Sequence, residues 1–129
     1  MFYLLVAGSR SYNDYEEMKS ITDKLLSRQN EVCIVSGGAY GADKLAEKYA
    51  KEKGYDFIEF KAEWEKYGKA AGFKRNKKMH EFISSKENRG IICFWDEKSK
   101  GTKQNFDLAK KYENKLKIFS IKSKKFLQI

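Results

Sequence analysis

The chain has 129 residues and a mass of 15.1 kDa, and its 27 Lys and Arg residues against 18 Asp and Glu residues give a net charge of +9. This length predicts one domain, and a hydrophobic fraction of 41% with 15% aromatic residues predicts a folded core rather than disorder. The apolar runs are far shorter than the ~20 residues of a membrane span. Met1 leads directly into such a run without the basic segment of a secretory signal. We therefore expect a cytoplasmic domain with no membrane partner.

Strand-like and helix-like patterns alternate along the chain. The predicted strands cover residues 2–7, 32–35, 57–60, 90–95 and 116–121, the last with the alternation of an edge strand. The predicted helices begin near residues 14, 42, 69 and 102. Asn13 or Asp14 is expected to cap the first, Gly54 to end the second and Thr102 to cap the fourth. This order predicts one three-layer α/β/α domain over residues 1–121, with a mainly parallel sheet of about five strands, and a basic extension over 122–129.

Positive charge is concentrated toward the end of the chain. Residues 115–129 hold five lysines and no acidic residue, which leaves 22 basic against 18 acidic residues, or +4, on residues 1–114. Arginine supplies most of the bidentate contacts by which proteins read nucleic acids, and this chain has only four arginines. We therefore interpret most lysines as solvated surface and keep nucleic-acid binding as a second-line hypothesis.

The segment from Ser36 to Asp43 follows the second predicted strand and contains three glycines. Glycines at a strand-to-helix junction let backbone N–H groups approach an anion, and the helix N-terminus adds partial positive charge. The segment differs from the Rossmann and P-loop fingerprints, so it predicts an anion-binding loop of neither class. The alternative is that the glycines only form a tight turn. Asp43 either contacts a ribose hydroxyl or favours the first helical turn electrostatically.

Two other loops that follow predicted strands carry polar residues, at the edge where parallel sheets bind ligands. The Gly8-Ser9-Arg10 segment offers a hydroxyl and a guanidinium, and Arg10 either binds a phosphate or carboxylate or is an exposed surface charge. Residues 99–102 form a second candidate phosphate cradle at a helix start. Asp96 either accepts a hydrogen bond from a sugar or base or caps a turn.

Elsewhere the chain offers no nucleophile or metal pattern. Cys33 and Cys93 lie inside apolar runs, where we expect small core residues rather than a disulfide or a metal pair. His80 is the only histidine and is predicted to lie on a helix surface. Arg75 and Asn76 belong to a basic cluster on the third helix, of a kind that usually forms a solvated face.

Several motifs occur together in a characteristic order. They are Ala7-Gly8-Ser9-Arg10, Ser36-Gly37-Gly38-Ala39 with Gly41-Ala42-Asp43, Ala62-Glu63-Trp64, the run from Tyr67 to Gly72, Arg75-Asn76 with Met79, and Phe94-Trp95-Asp96 with Ser99, Gly101 and Thr102. Over about residues 3–121 this combination resembles the YspA/YpsA-related branch of the SLOG superfamily. That superfamily also includes the DNA-uptake protein DprA and LOG-type cytokinin-activating enzymes.

The resemblance implies a Rossmann-like fold and a nucleotide or nucleotide-derived ligand held by the two glycine-bearing loops. Family analogy also implies a homo-oligomer. The ligand contacts that it implies are Gly8, Ser9, Arg10, Gly37, Gly38, Gly41, Asp43, Arg75, Asn76, Gly101 and Thr102. With Ser36, Asp96 and Ser99 from the same loops, these residues make up the candidate ligand-binding site.

Three positions depart from the family pattern. LOG-type phosphoribohydrolases have a glutamate three residues after the threonine of their Gly-Thr motif, where this chain has Asn105. An amide cannot replace a carboxylate in general acid–base catalysis or at an oxocarbenium-like centre. Tyr40 stands where relatives often have a basic residue, and Glu63 stands where aspartate is expected. Enzymatic activity is therefore left open, with Asp43, Glu63 and Asp96 as the candidate catalytic carboxylates.

These residues support three functional hypotheses. The first is binding of an ADP-ribose-like ligand, a cyclic derivative or a mononucleotide, by a sensor or by a sequestering protein of phage or bacterial type. The second is an enzyme that cleaves the N-glycosidic or a phosphoester bond of a nucleotide. The third is binding of single-stranded nucleic acid, as in DprA, and the net charge of +9 is the observation that supports it. We expect no metal, and no cofactor besides the nucleotide-type ligand.

Overall fold

A six-stranded sheet with helices on both faces forms the centre of the protein. The computed structural model describes residues 1–128, so Ile129, at the end of the predicted extension, lies outside the described residues. The predicted α/β/α layering and mainly parallel sheet are confirmed, with one strand more than the five expected. Among the described residues, no helix combines the length and the apolar character that crossing a bilayer requires.

Strands and helices alternate through most of the chain. The strands are β1 (Phe2–Gly8), β2 (Val32–Ser36), β3 (Asp56–Glu59), β4 (Arg89–Trp95), β5 (Leu116–Ser120) and β6 (Lys125–Leu127). The helices are α1 (Tyr15–Leu25), α2 (Ala42–Lys53), the single turn α3 (Trp64–Tyr67), α4 (Ala71–Ser84) and α5 (Lys100–Lys111). A 3-10 turn, Gly68–Ala70, joins α3 to α4.

The strand order places a crevice at one edge of the sheet. The order is β3-β2-β1-β4-β5-β6, with the first five strands parallel and β6 antiparallel to β5. Strands β2 and β3 lie in sequence order on one side of β1, and the chain then crosses to the other side of β1, where β4 lies. The loops that follow β1 and β4 therefore diverge, and a doubly wound sheet binds its ligands at such a point.

The core lies on both faces of β1, which explains why the strand reads as a continuous apolar run. Leu4 and Val6 pack in the core cluster on the α1 and α2 side, and Leu5 packs in the cluster on the α4 and α5 side. Cys33 and Cys93 are free and buried in that second cluster, so their predicted place in the core is confirmed. Burying a Leu or Ile side chain contributes about 1.5–3 kcal/mol to the stability of the fold. The strand ends beneath the crevice are therefore held in place by the core.

Two of the three predicted helix caps are confirmed and the third is wrong. Asp14 caps α1, since its carboxylate accepts the Glu17 N–H at 3.0 Å, and Gly54 ends α2 with a φ of 73°. The prediction that Thr102 caps the fourth long helix is wrong. Ser99 is the cap of α5 and its hydroxyl accepts the Thr102 N–H at 3.2 Å, because an N-cap side chain bonds to an N–H two or three residues further on.

The C-terminal segment, for which the sequence predicts only a basic extension, adds a short strand to the sheet. Residues 121–124 form a turn, and Lys125–Leu127 then pair with β5 as the antiparallel strand β6. Because β6 covers it, β5 is an inner strand, and the prediction of an edge strand at residues 116–121 is wrong. A three-residue strand has too little periodicity to be detected in the sequence.

Candidate functional site

A cavity of about 450 Å³ opens at the carboxyl ends of β1 and β4, and we term it the main cavity. Its walls come from the loops after β1, β2 and β4, from the segment between β3 and α4, and from the first halves of α4 and α5. Its volume lies in the range of pockets that hold small molecules. The residues that line it are Ala7, Gly8, Arg10, Ser11, Ala39, Asp43, Trp64, Lys69, Gly72, Phe73, Arg75, Asn76, Met79, Asp96, Ser99, Gly101, Thr102 and Asn105.

Ser9 joins the loops behind the cavity. It is only 1% exposed, and its carbonyl oxygen accepts the Ala42 N–H at the start of α2, at 3.2 Å. Its hydroxyl accepts the Asp96 N–H at 2.9 Å. Because its polar atoms are bonded within the protein, Ser9 sets the spacing of the loops and is not among the lining residues.

Gly41 in the loop after β2 is required by its backbone conformation and a backbone contact, and Gly37 in the same loop leaves space for a side chain. Gly41 has a φ of 77°, and a Cβ there would lie 2.3 Å from the Ser9 carbonyl oxygen. A Cβ on Gly37 would lie 2.4 Å from the guanidinium of Arg75. Glycine is the residue that permits such backbone conformations and approaches. The loop therefore packs tightly against the loop after β1 and leaves room for an arginine from α4.

Arg75 extends from α4 to the glycine loop. Its guanidinium donates to the carbonyl oxygen of Gly37 and, at 2.8 Å, to the amide oxygen of Asn76. Burial lowers the pKa of Arg75, nearby Asp43 counteracts this effect, and Arg10 adds to it. A guanidinium remains charged even so. The lysines of the predicted basic cluster are exposed, but Arg75 points inward and places a fixed positive fork in the cavity wall.

Asp43 is a buried carboxyl in the first turn of α2, with 7% of its surface exposed. Its carboxylate accepts the Ala39 N–H at 3.0 Å. The nearby Ser36 hydroxyl also favours the charged carboxylate, although its oxygen forms no hydrogen bond. Burial raises the pKa of the Asp43 carboxyl, although the Ala39 N–H and Arg75 act in the opposite direction. A carboxyl with a raised pKa in a cavity wall is typical of a functional site.

Asp43→Asn is expected to stabilise the ligand-free protein at neutral pH. Because burial raises the pKa, the folded protein holds this proton to a higher pH than the unfolded chain, whose aspartate titrates near pH ~3.9. The carboxyl thus becomes progressively more destabilising as the pH rises above about 4, whereas asparagine has no proton to lose. We expect a gain of about 1 kcal/mol at pH 7.5, or ~4 °C in Tm, and a smaller gain at pH 4.5.

Thermal unfolding at the two pH values measures this effect. Asp107→Asn is the matched control, because Asp107 is exposed on α5 and its replacement should leave Tm nearly unchanged at both pH values. A lower Tm for Asp43→Asn than for the wild type at pH 7.5 would contradict the account of a costly buried charge.

Asp96 orders the loop after β4. Its carboxylate accepts the N–H groups of Lys98 at 2.9 Å and Ser99 at 2.7 Å. Burial alone would raise the pKa of Asp96, but these donors outweigh burial and lower it. Its geometry matches the turn-capping alternative. The turn directs the first turn of α5, at Gly101 and Thr102, into the cavity wall. The Thr102 N–H is bonded to the Ser99 hydroxyl, and helix geometry leaves the Gly101 N–H without a partner in the helix.

Asn105 and His80 form a buried pair beneath the cavity. His80 is 0% exposed, so its predicted surface position is wrong, because α5 packs over this part of α4. His80 Nε2 lies 2.8 Å from Asn105 Oδ1, and Asn105 Nδ2 donates to the Gly101 carbonyl oxygen at 3.3 Å. Burial lowers the pKa of His80, which favours a neutral ring that donates from Nε2. The Asn105 amide is therefore oriented at its oxygen by His80 and at its nitrogen by the Gly101 carbonyl oxygen.

Exposed aromatic rings flank the main cavity, and sequence reasoning did not identify them as site residues. Trp64 is 49% exposed and Phe73 is 46% exposed, and both line the cavity. The guanidinium carbon of Arg10 lies 5.7 Å from the centre of the Trp64 ring, a cation–π distance. The available signal was the Ala62-Glu63-Trp64 motif, whose tryptophan was not interpreted as a ligand contact. Exposed rings beside arginines are typical of surfaces that stack nucleobases.

A second cavity of about 470 Å³, which we term the side cavity, adjoins the first. Four residues line both cavities, namely Arg10, Ala39, Trp64 and Arg75. The remaining wall of the side cavity comes from the glycine loop, from the end of β3 and from the segment that follows it. It consists of Gly37, Gly38, Tyr40, Lys44, Glu59, Lys61 and Ala62.

The C-terminal hairpin braces two of the site loops. The Ser120 and Ser123 hydroxyls each donate to the Glu97 carboxylate at 2.6 Å, directly after Asp96. On the other side of the hairpin, Lys124 pairs with Glu17 at 3.1 Å, and Glu17 also accepts the hydroxyl of Tyr12 at 2.8 Å, in the loop after β1. The lysine-rich segment is thus connected to the walls of the site.

Most of the predicted ligand residues meet at the two cavities. Gly8, Arg10, Asp43, Arg75, Asn76, Asp96, Ser99, Gly101 and Thr102 line the main cavity, and Gly37 and Gly38 line the side cavity. Ser9, Ser36 and Gly41 lie behind the walls. Glu63, a candidate catalytic carboxylate, is exposed outside both cavities and pairs with Lys78 at 3.9 Å. Residues 1–128 contain no group of three or more His, Cys, Asp or Glu side chains placed to hold a metal ion.

Two comparisons relate the sequence of this chain to known proteins. A family model described as the YspA, cpYpsA-related SLOG family matches residues 2–67, about half of the chain. The matched region runs from β1 to α3 and includes the glycine loop and Trp64. The Gene 61 protein of Mycobacterium phage D29 is 33% identical over 82 residues, which cover 59% of this chain and 66% of the phage protein. The match thus spans just under two thirds of that relative.

Proposed function

The chain belongs to the YspA, cpYpsA-related SLOG family, and we propose that it binds a nucleotide or nucleotide-derived ligand in the main cavity. Family membership supports a nucleotide-related function. The proposal is finer: an ADP-ribose-like ligand or a mononucleotide is held at the carboxyl edge of the sheet. In this role the protein acts as a sensor or as a sequestering protein.

The observation that supports the proposal most strongly is that exposed rings and arginines line the same cavity. Trp64 and Phe73 offer ring surface to a base, and Arg75 and Arg10 offer guanidinium groups to a phosphate. Stacking accepts any base, whereas a guanidinium fork selects an oxyanion. A nucleotide carries both a base and a phosphate, so one molecule contacts the rings and the guanidinium groups at once.

The remaining polar groups suit the other parts of a nucleotide. Free N–H groups in the first turn of α5, around Gly101, favour an oxyanion, because helix N-termini carry partial positive charge. The Asp43 carboxyl is placed to bond a ribose hydroxyl, either accepting or, when protonated, donating. In this arrangement the phosphate lies between Arg75 and α5, and the sugar lies over α2.

The geometry favours binding over turnover. Asp96 uses its Oδ1 to accept two backbone N–H groups that order its loop, and Asn105 is an amide held by His80 and Gly101. Asp43 is the cavity carboxyl whose raised pKa suits general acid–base work, so it is the residue on which the hydrolase alternative depends. Incubation with nucleotides followed by chromatography measures release of base or phosphate. We expect no release above the buffer control.

Trp64→Ala is expected to weaken nucleotide binding by about 10- to 100-fold, because base–aromatic stacking contributes ~1–3 kcal/mol per base. Calorimetric titration of the wild type and variant with AMP and ADP-ribose measures the change. Phe126→Ala is the matched control, since Phe126 is 48% exposed and lies outside both cavities. The wild type should bind at least one probe, and Phe126→Ala should retain that affinity.

Two results would contradict the proposed function. The first is an absence of heat and of thermal stabilisation with every phosphorylated nucleotide tested. The second is an equal loss of affinity in Trp64→Ala and Phe126→Ala, which would mean that the ring beside the main cavity does not contact the base.

A further inference from the structure

The side cavity differs in chemistry from the main cavity to which it is joined. Lys44 and Lys61 line it together with the two arginines shared by both cavities, so four cationic side chains contribute to one wall. Lys44 also pairs with Glu47 on α2 at 3.5 Å. Glu59, at the end of β3, is the one carboxylate in its wall. The Trp64 ring forms part of the shared boundary, and the side cavity has a second exposed ring, Tyr40, in its wall beside the charged side chains. This composition suits an anionic, hydrogen-bonding group better than a second base.

The boundary between the cavities is a pair of arginines that repel each other. Arg10 lies close enough to Arg75 to lower the pKa of its already buried guanidinium further. Asp43 partly offsets this repulsion from the main-cavity side, and Glu59 does so more weakly from the side cavity. Two linked phosphates supply more negative charge and more acceptor oxygens than one, so each guanidinium and the lysines beyond the boundary can face an oxyanion of their own. The boundary is therefore suited to a diphosphate that crosses from one cavity to the other.

Glu59 limits the kind of group that the diphosphate can carry at its outer end. Its side chain lies against Gly38, where a Cβ would be 2.6 Å from the carboxyl carbon, and it forms no hydrogen bond or ion pair within residues 1–128. A free carboxylate repels a terminal phosphate but accepts hydrogen bonds from hydroxyl groups. The side cavity thus favours a hydroxyl-bearing group over a free diphosphate end.

We infer that the ligand is a nucleoside diphosphate joined to a second, hydroxyl-bearing group such as a sugar, with that group in the side cavity against Glu59. Lys44 and Lys61 face the outer phosphate, and Glu59 determines specificity for the esterified form. This inference rests on the proposed function and narrows it, because a mononucleotide in the main cavity would leave the side cavity unused.

The test compares three probes of increasing length in two series, AMP, ADP and ADP-ribose, and UMP, UDP and UDP-glucose. Calorimetric affinities of the wild-type protein should rise by at least tenfold from the monophosphate to the sugar-linked diphosphate in at least one series. Glu59→Ala should reduce the preference for the sugar-linked form over the free diphosphate by at least fivefold. Lys44→Ala/Lys61→Ala should weaken both diphosphates and leave the monophosphate within twofold.

Matched controls separate local contacts from net charge. Glu65→Ala removes an exposed carboxylate of α3 that lines neither cavity. Lys110→Ala/Lys115→Ala removes two exposed lysines that also lie outside both cavities. Both control proteins should keep the wild-type order of affinities. A preference that changes equally in Glu59→Ala and Glu65→Ala would overturn the assignment of Glu59.

The outcomes distinguish this inference from the proposed function. If monophosphates bind and neither diphosphate nor sugar-linked diphosphate binds more tightly, the inference is overturned while nucleotide binding stands. If no probe of either series binds, both are overturned. If the sugar-linked diphosphate binds most tightly and Glu59→Ala removes that preference, the inference is supported.

Discussion

Arg75→Ala is expected to lower the affinity for a nucleotide by about 100-fold or more, because losing one partner of a buried, charge-assisted contact costs ~2–5 kcal/mol. Arg75 lines both cavities and is oriented by the Gly37 carbonyl oxygen and the Asn76 amide. Its fork is therefore in place before the ligand arrives, and little ordering has to occur on binding. Calorimetric titration with the tightest-binding nucleotide measures the loss.

Two further proteins show whether the loss is specific. Arg28→Ala removes the same charge from an exposed position in the connection before β2, at the opposite edge of the sheet, and should change affinity by less than twofold. Arg75→Lys keeps the charge but loses the fork, and should recover only part of the affinity. Equal affinities for Arg75→Ala and the wild type, with both proteins folded by circular dichroism, would contradict a phosphate at this position.

Gly41→Ala is expected to lower the free energy of unfolding by about 3 kcal/mol or more. The residue has a φ of 77° and a ψ of −128°, a conformation that is strongly unfavourable for residues with a Cβ. The added Cβ would also lie 2.3 Å from the Ser9 carbonyl oxygen and 2.5 Å from the Arg10 carbonyl. Neither backbone group can move freely, since the Ser9 carbonyl also accepts the Ala42 N–H. Urea unfolding followed by circular dichroism measures the change.

Gly54→Ala is the matched control for this effect. Gly54 has a similar φ of 73° at the end of α2, but nothing lies within 4 Å of a Cβ added there. Only the left-handed conformation is then penalised, at about 1 kcal/mol. If both glycine variants lose the same free energy, the close packing of the two loops does not contribute to stability as the structure indicates.

Local patterns were sufficient to predict the sheet and the loops that carry the site. β1 and β2 are continuous apolar runs because both of their faces are covered by helices. Gly41, which has a left-handed φ, lies in a loop that follows a strand. Such loops meet at one edge of the sheet because parallel strands all end there. The anion-binding interpretation of that loop remains a prediction. The loop lines the cavities together with Arg10 and with Arg75, which the family resemblance, and not the local pattern, indicates as a ligand residue.

The features that sequence reasoning missed depend on contacts between distant segments. His80 is buried because α5, twenty residues further along the chain, packs over α4 and presents Asn105 to it. Trp64 reaches the cavity because a short helix and a 3-10 turn carry the chain from β3 across the open end of the crevice. Neither position has a periodic signature, since both depend on how helices pack across the sheet.

Amide chemical-shift mapping tests the central claim, which is that a nucleotide binds between the loops that follow β1, β2 and β4. Titration of the ¹⁵N-labelled protein with AMP and ADP-ribose should shift the amides of residues 8–11, 37–43 and 96–102 most strongly, with the side-chain indole N–H of Trp64. Saturation should follow a single binding curve that persists at moderate salt. Shifts confined to the lysine-rich residues 115–128 that vanish as salt is raised, or no shifts at all, would contradict the account.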